Sequence, residues 1–150
     1  MEALSARIIS LPVSATLAMA AKARELKNEG IDVIGLSLGE PDFNTPEFIK
    51  DAAIQAVNDN YNAYSPVDGY ADLKQAITTK FKRDNGLEYA ANQIVVSTGA
   101  KQSIANVCMV LLNPGDEVLL PAPYWVSYSA IATLAEAKST IIPTSIDNDF

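Results

Sequence analysis

Val95-Val96-Ser97-Thr98-Gly99-Ala100-Lys101-Gln102 joins two different periodicities. Before the turn, Ile94 to Val96 form an apolar β-branched run that reads as a buried strand. After it, Ile104, Val107, Cys108, Leu111 and Leu112 fall at i, i+3, i+4, i+7 and i+8 of a helix. The Ser-Thr-Gly turn therefore marks a helix N-terminus, where the first backbone N–H groups lack intrahelical acceptors and the macrodipole is positive. A phosphate at Thr98 to Lys101 would meet donors already aimed at it, and Gly99 lets the backbone come close. Such junctions also arise for packing alone, so other segments have to decide. No Gly-x-x-x-x-Gly-Lys-Ser/Thr run precedes this helix and no Gly-x-Gly-x-x-Gly opens any helix, which disfavours an NTPase or a dinucleotide enzyme.

The chain has 150 residues, 49% hydrophobic and 19% charged. That is globular composition, long enough for one modest core. Lys and Arg number 11 against 18 Asp and Glu, a net charge of −7, and the basic residues are scattered. The clustered cationic footprint of a nucleic-acid binder is missing. Because histidine is absent, Ser-His-Asp and Cys-His catalysis within this chain is excluded and no metal site is expected. The single cysteine, Cys108, sits on the apolar face of its helix and reads as an inert buried thiol.

Ile8 to Ala21 is largely apolar and contains Ala18-Met19-Ala20, the small-x-small form of an export cleavage site. Glu2 spoils the positive leader, Pro12 and Ser14 interrupt the apolar stretch, and the pattern runs on into Lys22, Arg24, Glu25 and Lys27. One amphipathic helix capped by Ser14 and ended by Gly30 is the better reading. No apolar run approaches a membrane span.

Further along, Val33 to Leu38 read as a short strand that stops at Gly39-Glu40-Pro41-Asp42-Phe43. Thr45 is expected to cap a helix with Pro46 at its first position, running to about Val57. A polar loop from Asn58 to Tyr70 precedes a helix from about Ala71 to Asn85, closed by Gly86; loops of this length are often functional. Asn113-Pro114-Gly115-Asp116 is a turn, Val118 to Leu120 a strand, Pro121 to Pro123 a rigid corner, Val126 to about Ala135 a helix, and Ser139 to Ile142 a strand. This alternation predicts an α/β fold: a mainly parallel sheet flanked by helices and preceded by an N-terminal helical segment. With few strands made by Phe150, such a sheet keeps an open apolar edge, and the chain reads as a piece of something larger.

Three separated pieces then coincide: Ser37-Leu38-Gly39-Glu40-Pro41-Asp42-Phe43; Tyr64 with Gly69 and Leu73; and Thr98-Gly99-Ala100-Lys101-Gln102 followed by Pro123-Tyr124-Trp125. In this order and spacing the chain, from about Leu4 to Phe150, resembles the class I, fold type I pyridoxal-phosphate aminotransferases, most of all their bacterial aspartate branch. The resemblance implies part of the PLP-transferase fold type I. Residues 1–45 would belong to the small domain and active-site loop, and residues 46–150 to the first part of the large cofactor-binding domain, with the remainder of both lying outside this chain.

It also implies roles. Gly39 would offer a backbone contact to the substrate α-carboxylate; by its residues alone it reads as a turn glycine, and the resemblance reverses that reading. Gly99 and the amides of Ala100 and Lys101 would form the cup for the phosphate of pyridoxal 5'-phosphate. The Lys101 side chain would be a solvated charge or would face the distal carboxylate of an acidic substrate. Trp125, at the C-terminal end of a strand where ligands gather in open α/β sheets, would pack on the pyridine ring and touch the substrate carboxylate, core packing being the alternative. Tyr64 would reach the cofactor phosphate of a neighbouring subunit, so that a homodimer builds each site; otherwise it is an ordinary surface or core tyrosine.

The expected function is transfer of an amino group between aspartate or glutamate and a 2-oxo acid, in the cytoplasm, with neither nucleic acid nor membrane as partner. The family's Schiff-base lysine has no counterpart within residues 1–150. No catalytic residue is assigned in this chain, which by itself is expected to be inactive. Lys74 and Lys80 read as solvated charges on their helix. An aminotransferase of aromatic or alanine preference, or a non-catalytic binding or dimerisation fragment, remains open on these residues.

Overall fold

The computed structural model describes residues 4–150; Glu2, weighed above against an export signal, lies outside them. The chain falls into two units, one formed by the residues up to Gly39 together with Gly99–Phe150, the other by Glu40–Thr98.

The first unit opens with a short helix α1 (Ala6–Ile9) and then α2 (Ala15–Asn28). α2 is the amphipathic helix the sequence predicts, and α1 stays separate from it because Pro12 between them has no N–H to continue the ladder. Ser14 caps α2 as its sequence predicts, its hydroxyl accepting from the Leu17 N–H at 3.4 Å. At the other end Gly30 takes φ +85, and its N–H and that of Ile31 close on the carbonyls of Lys27 and Leu26. That paired closure satisfies carbonyls the helix end would otherwise leave bare.

Within the second unit lie α3 (Glu47–Asn58) and α4 (Ala71–Asn85). Pro46, not Thr45, occupies the cap of α3: with ψ 145 it is still extended, and Glu47 is the first helical residue. α3 ends through Asn60 at φ 59, with Asn60 and Tyr61 N–H groups bonded to Val57 and Ala56; asparagine tolerates this left-handed conformation better than most side chains. Gly86, at φ 68, ends α4. A 3-10 turn, Ala91–Gln93, follows and packs against α4. Thr78 is the buried polar residue there, its hydroxyl satisfied by Gln75 at 2.9 and 3.1 Å.

The first unit resumes with α5 (Ala100–Leu111), β1 (Glu117–Ala122), α6 (Ser127–Leu134) and β2 (Lys138–Pro143), before a last 3-10 turn at Ile146–Asn148. β1 and β2 pair in parallel, Glu117 opposite Lys138 and Ala122 opposite Pro143. α6 is the crossover that parallel pairing requires. Leu120, Ile131, Ala132 and Ala135 form the core of this unit, and both α1 and α5 pack on α6.

The expected mainly parallel sheet is thus reduced, among the described residues, to one parallel pair. Val33 to Leu38 and Ile94 to Val96 carry no strand ladder. Ile94 has strand-like angles, φ −108 and ψ 130, and is buried, but a strand is defined by neighbours that exchange hydrogen bonds with it. The Val96 N–H instead meets the Asp68 carbonyl at 3.1 Å. Periodicity and β-branching mark apolar segments; they do not supply strand partners. No helix among the described residues is long and apolar enough to cross a membrane.

Glu117 and Lys138 seal the start of the strand pair, Nζ to Oε1 at 2.8 Å, with the Thr140 hydroxyl donating to the other carboxylate oxygen at 3.3 Å. The hydrogen bond from Lys138, aided by its charge, holds the Glu117 carboxyl below its ordinary value of 4.5, and reciprocally raises Lys138. A depressed carboxyl stabilises the fold above its unfolded value, and that contribution disappears as pH falls through the folded one. In Lys138→Met, a carboxyl-resolved NMR titration should move the Glu117 midpoint upward, back toward 4.5; an unmoved midpoint would exclude the pair as the cause.

Candidate functional site

The turn that opens α5 is set by one residue. Gly99 stands at the helix cap with φ 83 and ψ 161, a region open in practice only to glycine. A Cβ added there would meet nothing within 4 Å, so the requirement is conformational and not a matter of space. This cap has no side chain to offer, and the first turn of α5 carries no acidic residue. The Gln102 and Ser103 N–H groups close on the Gly99 carbonyl at 3.1 and 3.3 Å. Ala100 and Lys101, at the first two helical positions, have no helix carbonyl preceding them to accept theirs. Their amides lie at the positive end of the dipole, a donor set that suits a phosphate.

Lys101 adds a second feature. A cation in the first turn of a helix is electrostatically misplaced unless something compensates it. Its ammonium lies 4.5 Å from the centroid of the Trp125 ring, a cation–π distance. Trp125 follows β1 through the Pro123 corner and precedes α6; the Ala122–Pro123 peptide is cis, and the Thr144 hydroxyl donates to the Ala122 carbonyl beside it. Tyr128, one turn further, holds the indole by an edge contact, with centroids at 5.8 Å and planes at 88°. The Trp125 carbonyl also accepts the Tyr128 N–H at 3.0 Å. Trp125 is 45% exposed, so the ring is partly open to a ligand and is not a core residue.

Gly99, Ala100, Lys101 and Trp125, named separately in the sequence, therefore share one unit, and Lys101 and Trp125 touch. Gly39 belongs to the same unit and is exposed, and a side chain there would find open space within 4 Å. Tyr64 belongs to the other unit, where its side chain is fully exposed. Tyr128 was not singled out from sequence. An i, i+3 aromatic pair across a helix start was the signal available for it.

Two further residues test the sequence reading. Lys80 is a solvated charge, 60% exposed and paired with Asp84 at 3.0 Å. Lys74 is not: only 12% of its side chain is exposed, and it is paired with Asp68. Cys108 is half-buried. Of the open clefts, one is lined by Thr78, Lys82, Arg83 and Tyr89, another by Met19, Leu26, Val33 and Leu36, and a third, beside Trp125, by Pro12, Ser14, Tyr124, Val126 and Ser127. The first holds cations already paired with acids, and the second is apolar. The donor chemistry at α5, not concavity, marks the candidate site.

Comparison with known proteins gives the family of the chain. The aspartate/prephenate aminotransferase of Nitrosomonas europaea is 52% identical over 147 residues, covering 98% of this chain and 37% of that protein. The crystal structure of the aspartate aminotransferase from Rhizobium meliloti superposes with a TM-score of 0.92 at 45% identity, over 97% of this chain and 36% of that one. The Thermus thermophilus aspartate aminotransferase with maleate gives 0.93 at 39% identity, over 98% and 38%. The chain thus spans little more than a third of the length of these relatives. Residues 31–150 match the family model for aminotransferase class I and II, and the chain belongs to that family.

Proposed function

We propose that the intact protein is an aspartate-type aminotransferase that uses pyridoxal 5'-phosphate to move an amino group between aspartate or glutamate and a 2-oxo acid. The observation that carries this is the uncapped start of α5: a glycine-only turn, two first-turn amides, and Lys101 beside the open face of Trp125. The donor set fits the dianionic phosphate of the cofactor, and the indole fits its flat ring.

Each residue then has a task. Gly99 shapes the turn, and the amides of Ala100 and Lys101 grip the phosphate in an environment already polarised by the helix. Trp125 covers one side of the ring and excludes water from it, while Tyr128 keeps the indole upright. The Gly39 peptide meets the substrate α-carboxylate, where the missing Cβ allows close approach. The Lys101 ammonium turns toward the distal carboxylate of an acidic substrate, exchanging a cation–π contact for a charge-assisted hydrogen bond. Tyr64 offers its hydroxyl to the cofactor phosphate of a second copy of the chain, so the working form is a homodimer, placed in the cytoplasm. When bound, pyridoxal phosphate supplies an aldehyde to take up the amino group and an electron-withdrawing ring beside the reacting carbon. No lysine among residues 4–150 is assigned the proton transfers of that chemistry.

The aspartate preference rests on Lys101 and on relatives that carry that name; one of them was crystallised with maleate, itself a dicarboxylate. The domain boundaries of the sequence reading, 1–45 and 46–150, belong to this same proposal. Residues 1–150 alone are expected not to transaminate.

The direct test is cofactor binding and a coupled assay with aspartate and 2-oxoglutarate on the intact protein; cofactor binding without transfer to any 2-oxo acid would favour a non-catalytic role. Gly99→Ala should weaken cofactor affinity by about tenfold, the equivalent of forcing a side chain into a glycine-only conformation, and equilibrium dialysis reads this directly. Lys101→Ala should raise KM for aspartate about tenfold or more while leaving KM for an uncharged amino donor within about twofold. Equal changes for both donors would remove the argument for an acidic substrate.

A further inference from the structure

The loop that bears Tyr64 is pinned at several points, all within the second unit. Its two ends meet through the rings of Tyr61 and Tyr70, edge to face at 5.7 Å. Inside, the Gly69 N–H closes a turn on the Pro66 carbonyl at 3.0 Å. Gly69 stands at φ +100, and a Cβ there would lie 2.5 Å from a Val96 methyl, so the glycine is demanded by both conformation and space. The neighbouring Asp68 carbonyl accepts the Val96 N–H at 3.1 Å. The Asp68 carboxylate is ion-paired with Lys74 on the first turn of α4, and the lysine side chain is 12% exposed. At the tip, Tyr64 and Val67 are fully exposed.

Most ion pairs among the described residues join side chains that are both well exposed, and such pairs contribute little. The Asp68–Lys74 pair differs because its cation is largely withdrawn from water and its anion sits on the residue that also receives the Val96 amide. A lysine side chain largely withdrawn from water depends on its partner, and so it fixes where Asp68 lies. Asp68, through the adjoining turn, fixes the base from which Tyr64 projects.

We infer that Lys74 is a positioning residue: with Asp68, Gly69 and Val96 it clamps the base of the 61–70 loop and so sets the Tyr64 hydroxyl for the cofactor phosphate of the neighbouring subunit. This rests on the reading of Tyr64 given above, but the clamp itself can be tested apart from it.

The test uses the intact protein, with Lys74→Met, Asp68→Asn and Lys74→Arg, each alone and Lys74→Met also combined with Tyr64→Phe. Hydrogen exchange by mass spectrometry should show residues 61–70 exchanging about tenfold faster in Lys74→Met and Asp68→Asn, with Lys74→Arg close to the parent. The dissociation constant for pyridoxal phosphate should rise about five- to tenfold in the first two variants and be restored in the third. In the Tyr64→Phe background, Lys74→Met should change that constant by less than about twofold, because a residue acting through Tyr64 has nothing left to position. Unchanged exchange over 61–70 in both clamp variants overturns the clamp, whatever Tyr64 does. Effects of Lys74→Met and Tyr64→Phe that multiply overturn positioning through Tyr64. Normal cofactor affinity in Tyr64→Phe, with faster exchange in Lys74→Met, overturns the role of Tyr64 and leaves a tie that is only structural.

Discussion

The backbone angle at Gly99 is the constraint on which the candidate site depends. An L-residue there would pull φ back to negative values and re-aim the start of α5, because ψ 161 at positive φ has no counterpart for a side chain bearing Cβ. With the angle held, the helix begins at a cap whose residue has no side chain to bond its first amides. The same angle puts Lys101 in the first turn, where the helix dipole repels it and the indole of Trp125 attracts it. One glycine thus sets out the anion donors, the cation and the aromatic face together.

Packing within each unit is sparse. Among the described residues the buried apolar set is Ile94, Leu120, Ile131, Ala132 and Ala135, while Leu36, Tyr64 and Val67 stand at or above nine-tenths exposure. Among the described elements α3 packs against no other helix or strand, and the apolar side chains of Phe48, Ile49, Ile54 and Val57 remain exposed along it.

The helices were legible in the sequence because their ends are local chemistry. Ser14 and Gly30 bracket α2, and Gly86 stops α4 where a left-handed residue is needed. The start of α3 was misplaced by one residue because Pro46 fits both the cap and the first turn, and only its ψ decides. The buried strand expected at Ile94 to Val96 is not formed: Ile94 is buried and extended, but Val95 is exposed and no partner strand is paired with the segment, and pairing is a relation between segments that no pattern within one segment reveals. Lys74 shows the same limit. Helical spacing tells which face a lysine occupies, whereas its burial comes from a loop folding over that face from six residues upstream. At the candidate site, the helix start at Gly99 was legible from the turn itself. Tyr128 was not, because its importance comes from touching Trp125 and not from any chemistry of its own.

The parallel pair β1–β2 has a further consequence for how the chain acquires its structure. Glu117 and Lys138 are only 21 positions apart, and the segment between Glu117 and Pro143 holds Leu120, Ile131, Ala132 and Ala135. Closing that loop costs little entropy, and burial offsets it at once. α1 has the opposite problem, since its packing partner α6 begins more than a hundred residues later. A ribosome releasing this chain from its N-terminus therefore delivers α1 long before the compact seed exists, and α1 has to be retrieved from the far end once that seed has closed.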